Sequence, residues 1–190
     1  MSTIKTKKVQ LGTDATSSNN FTIYQPATPD GTLRIGVGDA ENPTEVGQFN
    51  ANGYKPQQPV AFRAFLGSNQ AVSVGVFTKM TFNTEEFDTN SNYDHSTNYR
   101  FTPTVAGYYQ VDLKAQWVNN GQGLIMVHKN GASYAWGNYP VNGYGSMASA
   151  LIYMNGSTDY IEGFAYFAAS NTLNSNNATT YFNSILIAQA

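Results

Sequence analysis

Apolar positions in this chain come in short runs separated by Gly, Asn, Pro and Asp, and no window sustains the spacing of an amphipathic helix. β-Branched and aromatic residues fill the runs, which recur at fairly even intervals, and this pattern predicts an all-β chain. The most informative stretch is 82–113, FNTEEFDTNSNYDHSTNYRFTPTVAGYYQVDL. It predicts a strand carrying Phe82 and ending at Phe87 and Asp88, then an Asn-rich polar loop reaching Asp94. A second strand is entered at Arg100-Phe101-Thr102. Pro103 and Gly107 mark a turn, and Tyr108 to Leu113 follow as an alternating aromatic strand.

Residues 1–57 read as a separate small β module, and 58–190 as the larger domain. Candidate strands in the module are Ile4–Leu11, Phe21–Gln25, Thr32–Val37 and Glu45–Phe49. Pro29-Asp30-Gly31 is a strong turn signal, because Pro presets φ, Asp bonds its own backbone and Gly accepts positive φ. Asn52-Gly53 predicts another turn. Lys55-Pro56-Gln57-Gln58-Pro59 reads as an extended linker, since two prolines remove donors and restrict their predecessors. Four short strands bury little by themselves, so the module is expected to lean on the larger domain, on symmetry mates or on an anchoring partner.

With 190 residues, the chain is long enough to bury roughly 70% of its unfolded surface without staples. Charged residues make up 12%, about half the usual share. Solubility therefore rests on Asn, Ser, Thr and Gln. A net charge of −2 makes no electrostatic case for nucleic acid, and the basic cluster Lys5, Lys7 and Lys8 reads as a solvated strand. The absence of cysteine excludes a disulfide scaffold, a thiolate metal site and a cysteine nucleophile. No apolar run approaches the ~20 residues that cross a bilayer, and the start MSTIKTKKVQLG lacks the apolar core of a signal peptide. Folding in a cytoplasm is expected, so the Asn-x-Ser/Thr triplets at Asn20, Asn155 and Asn177 read as chance.

The order of signals in 58–188 resembles the head domain of the C1q/tumour necrosis factor family. Besides 82–113, Val60-Ala61-Phe62-Arg63-Ala64 resembles that family's first strand, and Val127-His128-Lys129-Asn130-Gly131 its mid-domain strand and turn. Ser149 to Met154 followed by Tyr160-Ile161-Glu162 resembles its paired strands, with Asn155-Gly156-Ser157-Thr158-Asp159 standing where a Gly-Asp turn is usual. Thr180 to Ile187 resembles the closing strand. The resemblance implies a jelly-roll sandwich that assembles as a homotrimer and binds or builds rather than catalyses. Phe62, Phe77, Phe82, Phe101, Tyr109, Val111, Trp117, Ile152, Phe164, Tyr166, Phe182 and Leu186 are then expected in the core or at the trimer axis. A second resemblance lies in Lys8-Val9-Gln10-Leu11-Gly12, Ser17 to Thr22 and Pro29 to Gly38, which is similar to an N-terminal module of small structural proteins of tailed phages.

The residues themselves offer little chemistry. The two histidines, His95 and His128, lack an orienting partner, and no Gly-x-Ser-x-Gly elbow occurs. Glu85-Glu86 adjoin in a strand and face opposite sides. Asp159 and Glu162 approach across a turn that reads as solvated. Asp88, Asn90, Asn92 and Asp94 alternate oxygen ligands as calcium loops do, but the positions that would need Gly and Glu are Tyr93 and Tyr99. Asx-turns build the same pattern with no ion. Tyr134, Trp136, Tyr139 and Tyr144 lie among glycines, either to stack on a sugar or fill a protein pocket, or to pack between subunits. The loop 169–180 is long and polar, a contact loop or an exposed tip.

These readings lead to a non-enzymatic virion protein with no cofactor and no membrane insertion. It would be assembled in the host cytoplasm and displayed on the particle surface as a trimer, as capsid decoration or a short head fibre. The rival role is a tail-fibre knob that contacts a host surface glycan or protein through the four aromatics. Attachment to capsid or tail proteins would fall to residues 1–57, with Ile4, Lys7, Val9 and Leu11 pairing at a sheet edge.

Overall fold

The computed structural model describes residues 8–12, 14–16, 19–38, 43–56 and 59–190, and the described residues are all-β. The chain divides into two compact units, Met1–Gln58 and Pro59–Ala190.

The first unit is an antiparallel meander of β1 (Lys8–Leu11), β2 (Phe21–Tyr24), β3 (Leu33–Val37), β4 (Thr44–Asn50) and β5 (Gly53–Pro56) in one sheet. Its turns follow their residues. Asp30 accepts the Thr32 N–H at 3.0 Å beside Gly31 at φ +80°, and Asn50 accepts the Asn52 N–H at 2.8 Å beside Gly53 at φ +103°. One expectation is corrected. Lys55-Pro56 is not linker but the end of β5, where an edge strand tolerates the missing proline N–H. Of the expected strand Ile4–Leu11, the part before Lys8 lies outside the described residues.

The second unit is a sandwich built from β6 (Ala61–Phe65), β7 (Gln70–Val72), β8 (Thr78–Lys79), β9 (Thr84–Asp88), β10 (Tyr93–Asp94), β11 (Arg100–Phe101) and β12 (Ala106–Gly121). These are followed by β13 (Gly123–Lys129), β14 (Ala132–Trp136), β15 (Gly143–Asn155), β16 (Ile161–Phe167), β17 (Asn171–Leu173) and β18 (Tyr181–Gln189). The first sheet centres on β12, with β15 along one side and β18, β6 and β9 in order along the other; β17 and β7 extend its far end. The second sheet runs β10, β11, β16, β13, β14, with β8 also paired to β16.

Between the sheets the period-2 pattern packs alternate residues inward. Tyr109, Val111, Leu113 and Trp117 of β12 meet Ile125, Val127, Ala165 and Phe167 of the second sheet, all essentially inaccessible. Phe62 forms the hub, its ring 4.5 Å from Phe101, 4.6 Å from Tyr93 and 5.1 Å from Phe182. The polar tips of three buried aromatics are satisfied: Tyr93 donates to the Phe82 carbonyl, Tyr109 to Val105 and Trp117 Nε1 to Gly143. Burial pushes the Tyr109 hydroxyl up to about 12.

Eight of the twelve expected core residues are buried: Phe62, Phe82, Phe101, Tyr109, Val111, Trp117, Ile152 and Phe182. Leu186 packs partly against the core. Phe77, Phe164 and Tyr166 lie outside the core. Phe164 and Tyr166 alternate with the inward-facing Ala165 and Phe167 on β16, so they lie on the outer face of the second sheet, and Phe77 joins them there at 45% exposure. The loop 169–180 is corrected too, for it contains β17. Buried Asn171 there accepts the Asn119 N–H and donates to the Asn119 carbonyl, tying the segment to β12.

Candidate functional site

The outward positions of the first sheet leave several large apolar side chains exposed. Register places Tyr153 opposite Tyr108, and Leu151 opposite Gln110, which in turn faces Ile185. A bulge in β18 between the partners of Tyr108 and Tyr109 brings out Ile187. Leu151 is 56% exposed and Ile187 61%, while the Tyr108 and Tyr153 rings stack obliquely at 5.6 Å. A polar band adjoins this patch: Gln110 Nε2 donates to Ser149 Oγ, and Ser149 Oγ to Asp112 Oδ1 at 2.6 Å. Farther along, Arg63 lies over the Tyr181 ring and pairs with Glu86. The face is thus an apolar patch rimmed by polar groups, among which the buried Asn183 Oδ1, between Asp112 and Arg63 in register, has no hydrogen-bond partner.

The sequence reading missed this face, yet a signal was present. Leu151-Ile152-Tyr153-Met154 and Ile185-Leu186-Ile187 are apolar at both phases, whereas a strand with one wet side alternates.

The four aromatics proposed from sequence do not converge. Trp136 registers with Met126 and Phe164 on the outer face of the second sheet, its Nε1 donating to Ser133 Oγ at 2.6 Å. Phe77 lies 6.3 Å from Trp136 and 5.1 Å from Tyr166, and Tyr139 lies 6.4 Å from Tyr166. Tyr134 occupies the bulge of β14. Tyr144 instead lines a separate shallow hollow of about 420 Å³ with Lys114, Gln116, Asn138, Met147 and Thr179.

Beside Trp136 the second sheet carries polar groups at low exposure. His128 stacks on Phe164 at 4.0 Å, and burial pushes its imidazole pKa down. Lys79 pairs with Glu162, and Lys129 pairs with Asp159 at 2.9 Å. Asp159 and Glu162 are therefore not the solvated turn pair expected. Each is buried with its own lysine, and the Asn155 side chain closes the turn by accepting the N–H groups of Ser157, Thr158 and Asp159. His95 bonds Glu85 in an exposed loop, and Glu86 turns to Arg63.

In the 88–94 loop the oxygens are committed to local backbone. Asp88 accepts the Asn90 and Tyr93 N–H groups, and Asn92 accepts from Thr104. Asp94 accepts from Thr97, Ser96 and Asn98, and these bonds hold its carboxyl well below the usual carboxylate range. The pattern that resembled a calcium loop is a run of Asx-turns. Of the attachment candidates, Val9 and Leu11 lie on edge strand β1, while Ile4 and Lys7 lie outside the described residues.

No protein-family model matches the chain, and no curated protein matches it by sequence. Solved structures do. Eiger TNF from S. frugiperda matches over 70% of this chain and 96% of its own, at 9% identity and a TM-score of 0.53. Murine APRIL at pH 5.0 matches over 68% and 100%, at 8% identity and a TM-score of 0.52. The globular domain of zebrafish complement 1qA matches over 69% and 99%, at 16% identity and a TM-score of 0.49. At such identities the likeness is one of fold. The chain carries a jelly-roll sandwich of the tumour necrosis factor type.

Proposed function

We propose that this chain is a non-enzymatic structural protein of a bacteriophage virion, displayed on the particle surface as a homotrimer, in the role of capsid decoration or a short head fibre. The observation that carries the assembly is the uncovered apolar patch of Tyr108, Leu151, Tyr153, Ile185 and Ile187 on a sheet of a TNF-like sandwich. Covering it with copies of the same sheet removes that surface from water, and three-fold closure leaves none of the three copies of this face bare. The virion role rests on the likeness of 8–38 to small tailed-phage modules and on the division into a small N-terminal sheet and a larger head. On this reading the first unit seats the trimer on capsid or tail proteins, with β1 as the edge that pairs.

A second reading gives the head the role of a tail-fibre knob. Its support is the exposed cluster of Trp136, Tyr139 and Phe77 on the second sheet, which faces away from the proposed trimer contact and suits stacking on a host glycan or filling a protein pocket.

Light scattering of the purified chain tests the assembly: three times 20.7 kDa is expected, and a monomer at micromolar concentration refutes it. Copy number per particle tests the role. Hundreds place the protein on the capsid, and three to a few dozen place it on an appendage. Blocking of host adsorption by the isolated protein would select the knob.

A further inference from the structure

The first unit has an apolar face of its own. Its register places Val9, Ile23 and Ile35 in one row across β1, β2 and β3, and Leu11, Phe21 and Val37 in the next. Leu33, two residues before Ile35, extends the same face. No described position on it is charged. The opposite face carries Gln10, Thr22, Arg34 and Gln48, with Arg34 held by Asp30 at 2.6 Å and Glu45 at 2.8 Å.

The two faces differ in how the unit treats them. On the polar side Thr22 and Gly36 are buried, and a Cβ at Gly36 would meet Pro43 at 2.6 Å, so the unit's own residues close that side. On the apolar side Val9 (46%), Leu11 (51%), Phe21 (49%) and Leu33 (47%) remain about half exposed. A single sheet with one bare apolar face is an incomplete layer architecture, which stacking against a second sheet at ~10 Å completes.

We infer that the apolar faces of three N-terminal sheets pack on one another in the assembled trimer. This rests on the trimeric reading of the head. The chain itself argues for copies of this sheet rather than a foreign protein. The face is uncharged, so self-apposition brings no like charges together. Only four residues separate β5, ending at Pro56, from β6, starting at Ala61, a reach of at most ~14 Å. A trimeric head therefore holds three sheets at an effective concentration on the order of millimolar, which no outside partner matches without its own strong contacts. Each face measures about five strands by five residues, ~400 Å² in projection. Three together enclose ~1,200 Å², the low end of stable interfaces and sufficient for tethered units. Edge strand β1 stays available for particle attachment, so one small sheet serves both contacts.

The chain contains no cysteine, which makes the test clean. Val9→Cys, Phe21→Cys and Leu33→Cys, made singly in the full chain, place a thiol on the apolar face at positions whose exposure spares the fold. Gln10→Cys places one on the opposite face. A short bis-maleimide should link the first three into covalent dimers, the limit for one thiol per chain, about tenfold more than Gln10→Cys. Particles of 62 kDa class that cross-link no more from the apolar face than from Gln10 overturn this inference and leave the head trimer standing, the mass being three times 20.7 kDa. Cross-links that form only to another virion protein overturn it as well. A chain that runs as a monomer and does not cross-link overturns both readings. Cross-linking that survives Leu151→Asp in the head shows that the sheets associate on their own account.

Discussion

Replacing Leu151 with aspartate probes the head contact most directly. Leu151 points out of the first sheet opposite Gln110 and is 56% exposed in the single chain, so the substitution disturbs no core packing. Fully burying a leucine side chain is worth about 1.5–3 kcal/mol. Roughly half of that remains to be gained on assembly, ~1 kcal/mol per chain and ~3 kcal/mol per trimer. Losing it weakens association about 100-fold, and desolvating three carboxylates with no cationic partner weakens it further. The midpoint of a monomer–trimer equilibrium goes as the square root of its dissociation constant, so a dilution series followed by light scattering should show a midpoint raised at least about tenfold, with far-ultraviolet dichroism unchanged. Tyr134→Asp, at the β14 bulge on the other sheet, should leave the mass as it is. A Leu151→Asp protein that stays trimeric to the same dilution as wild type refutes the assignment of this face.

Phe62→Ala removes the ring that three core aromatics touch, and a loss of ~3–5 kcal/mol is expected in urea unfolding; a loss under ~1.5 would mean the core collapses around it. Gly156→Ala should cost ~1–3 kcal/mol and slacken the β15–β16 turn, because φ there is +71° and a Cβ would lie 2.4 Å from the Ala106 nitrogen. Asp94 has a depressed folded pKa, chiefly through N–H bonds from Thr97 and Ser96, so its contribution is present above the unfolded value of about 3.9 and is lost as pH falls through the folded one. Its carboxyl should titrate below that value by NMR, and Asp94→Ala should narrow its stability gap to wild type as the solution is acidified; a gap independent of pH refutes the loop geometry.

Strand order and turn chemistry were legible because they are local. Asn130-Gly131 forms a turn with φ of +53° and +80°, as the residue pair demands, and the Asx-turns at Asp88 and Asp94 follow from short polar side chains beside their own backbone. What stayed hidden was which phase of each strand faces which neighbour. Phe77 has the composition of a core residue, but it follows Gly75 and Val76 in a loop that runs over the outer face of the second sheet. Asp159 and Glu162 looked solvated because their partners, Lys129 and Lys79, lie 30 and 83 residues away in sequence and meet them only through strand pairing. The aromatic set 134–144 looked like one site because its members adjoin in sequence, while the chain turns from β14 into β15 between them and separates Tyr144 from Trp136.

The two outer faces of the sandwich show why assembly is assigned to one and not the other. Both carry apolar residues in quantity. On the second sheet Met126 sits between Trp136 and Phe164 in register, yet it and Leu124 are nearly inaccessible, because aromatic side chains of the same chain close over them. His128 and Lys79 add a stacked ring and a cation over Phe164, so part of that face is closed within one molecule, while Trp136 and Phe77 stay 61% and 45% exposed. On the first sheet the Lys129 ammonium lies 5.7 Å from the Tyr153 ring, while Leu151 and Ile187 stay more than half exposed. Tyr108, Leu151, Tyr153 and Ile187 are 46%, 56%, 42% and 61% exposed. A chain with only 12% charged residues has few ways to make such a face soluble. On the proposed trimeric reading the first sheet is the one that meets copies of itself, since an identical sheet is always present at the chain's own concentration.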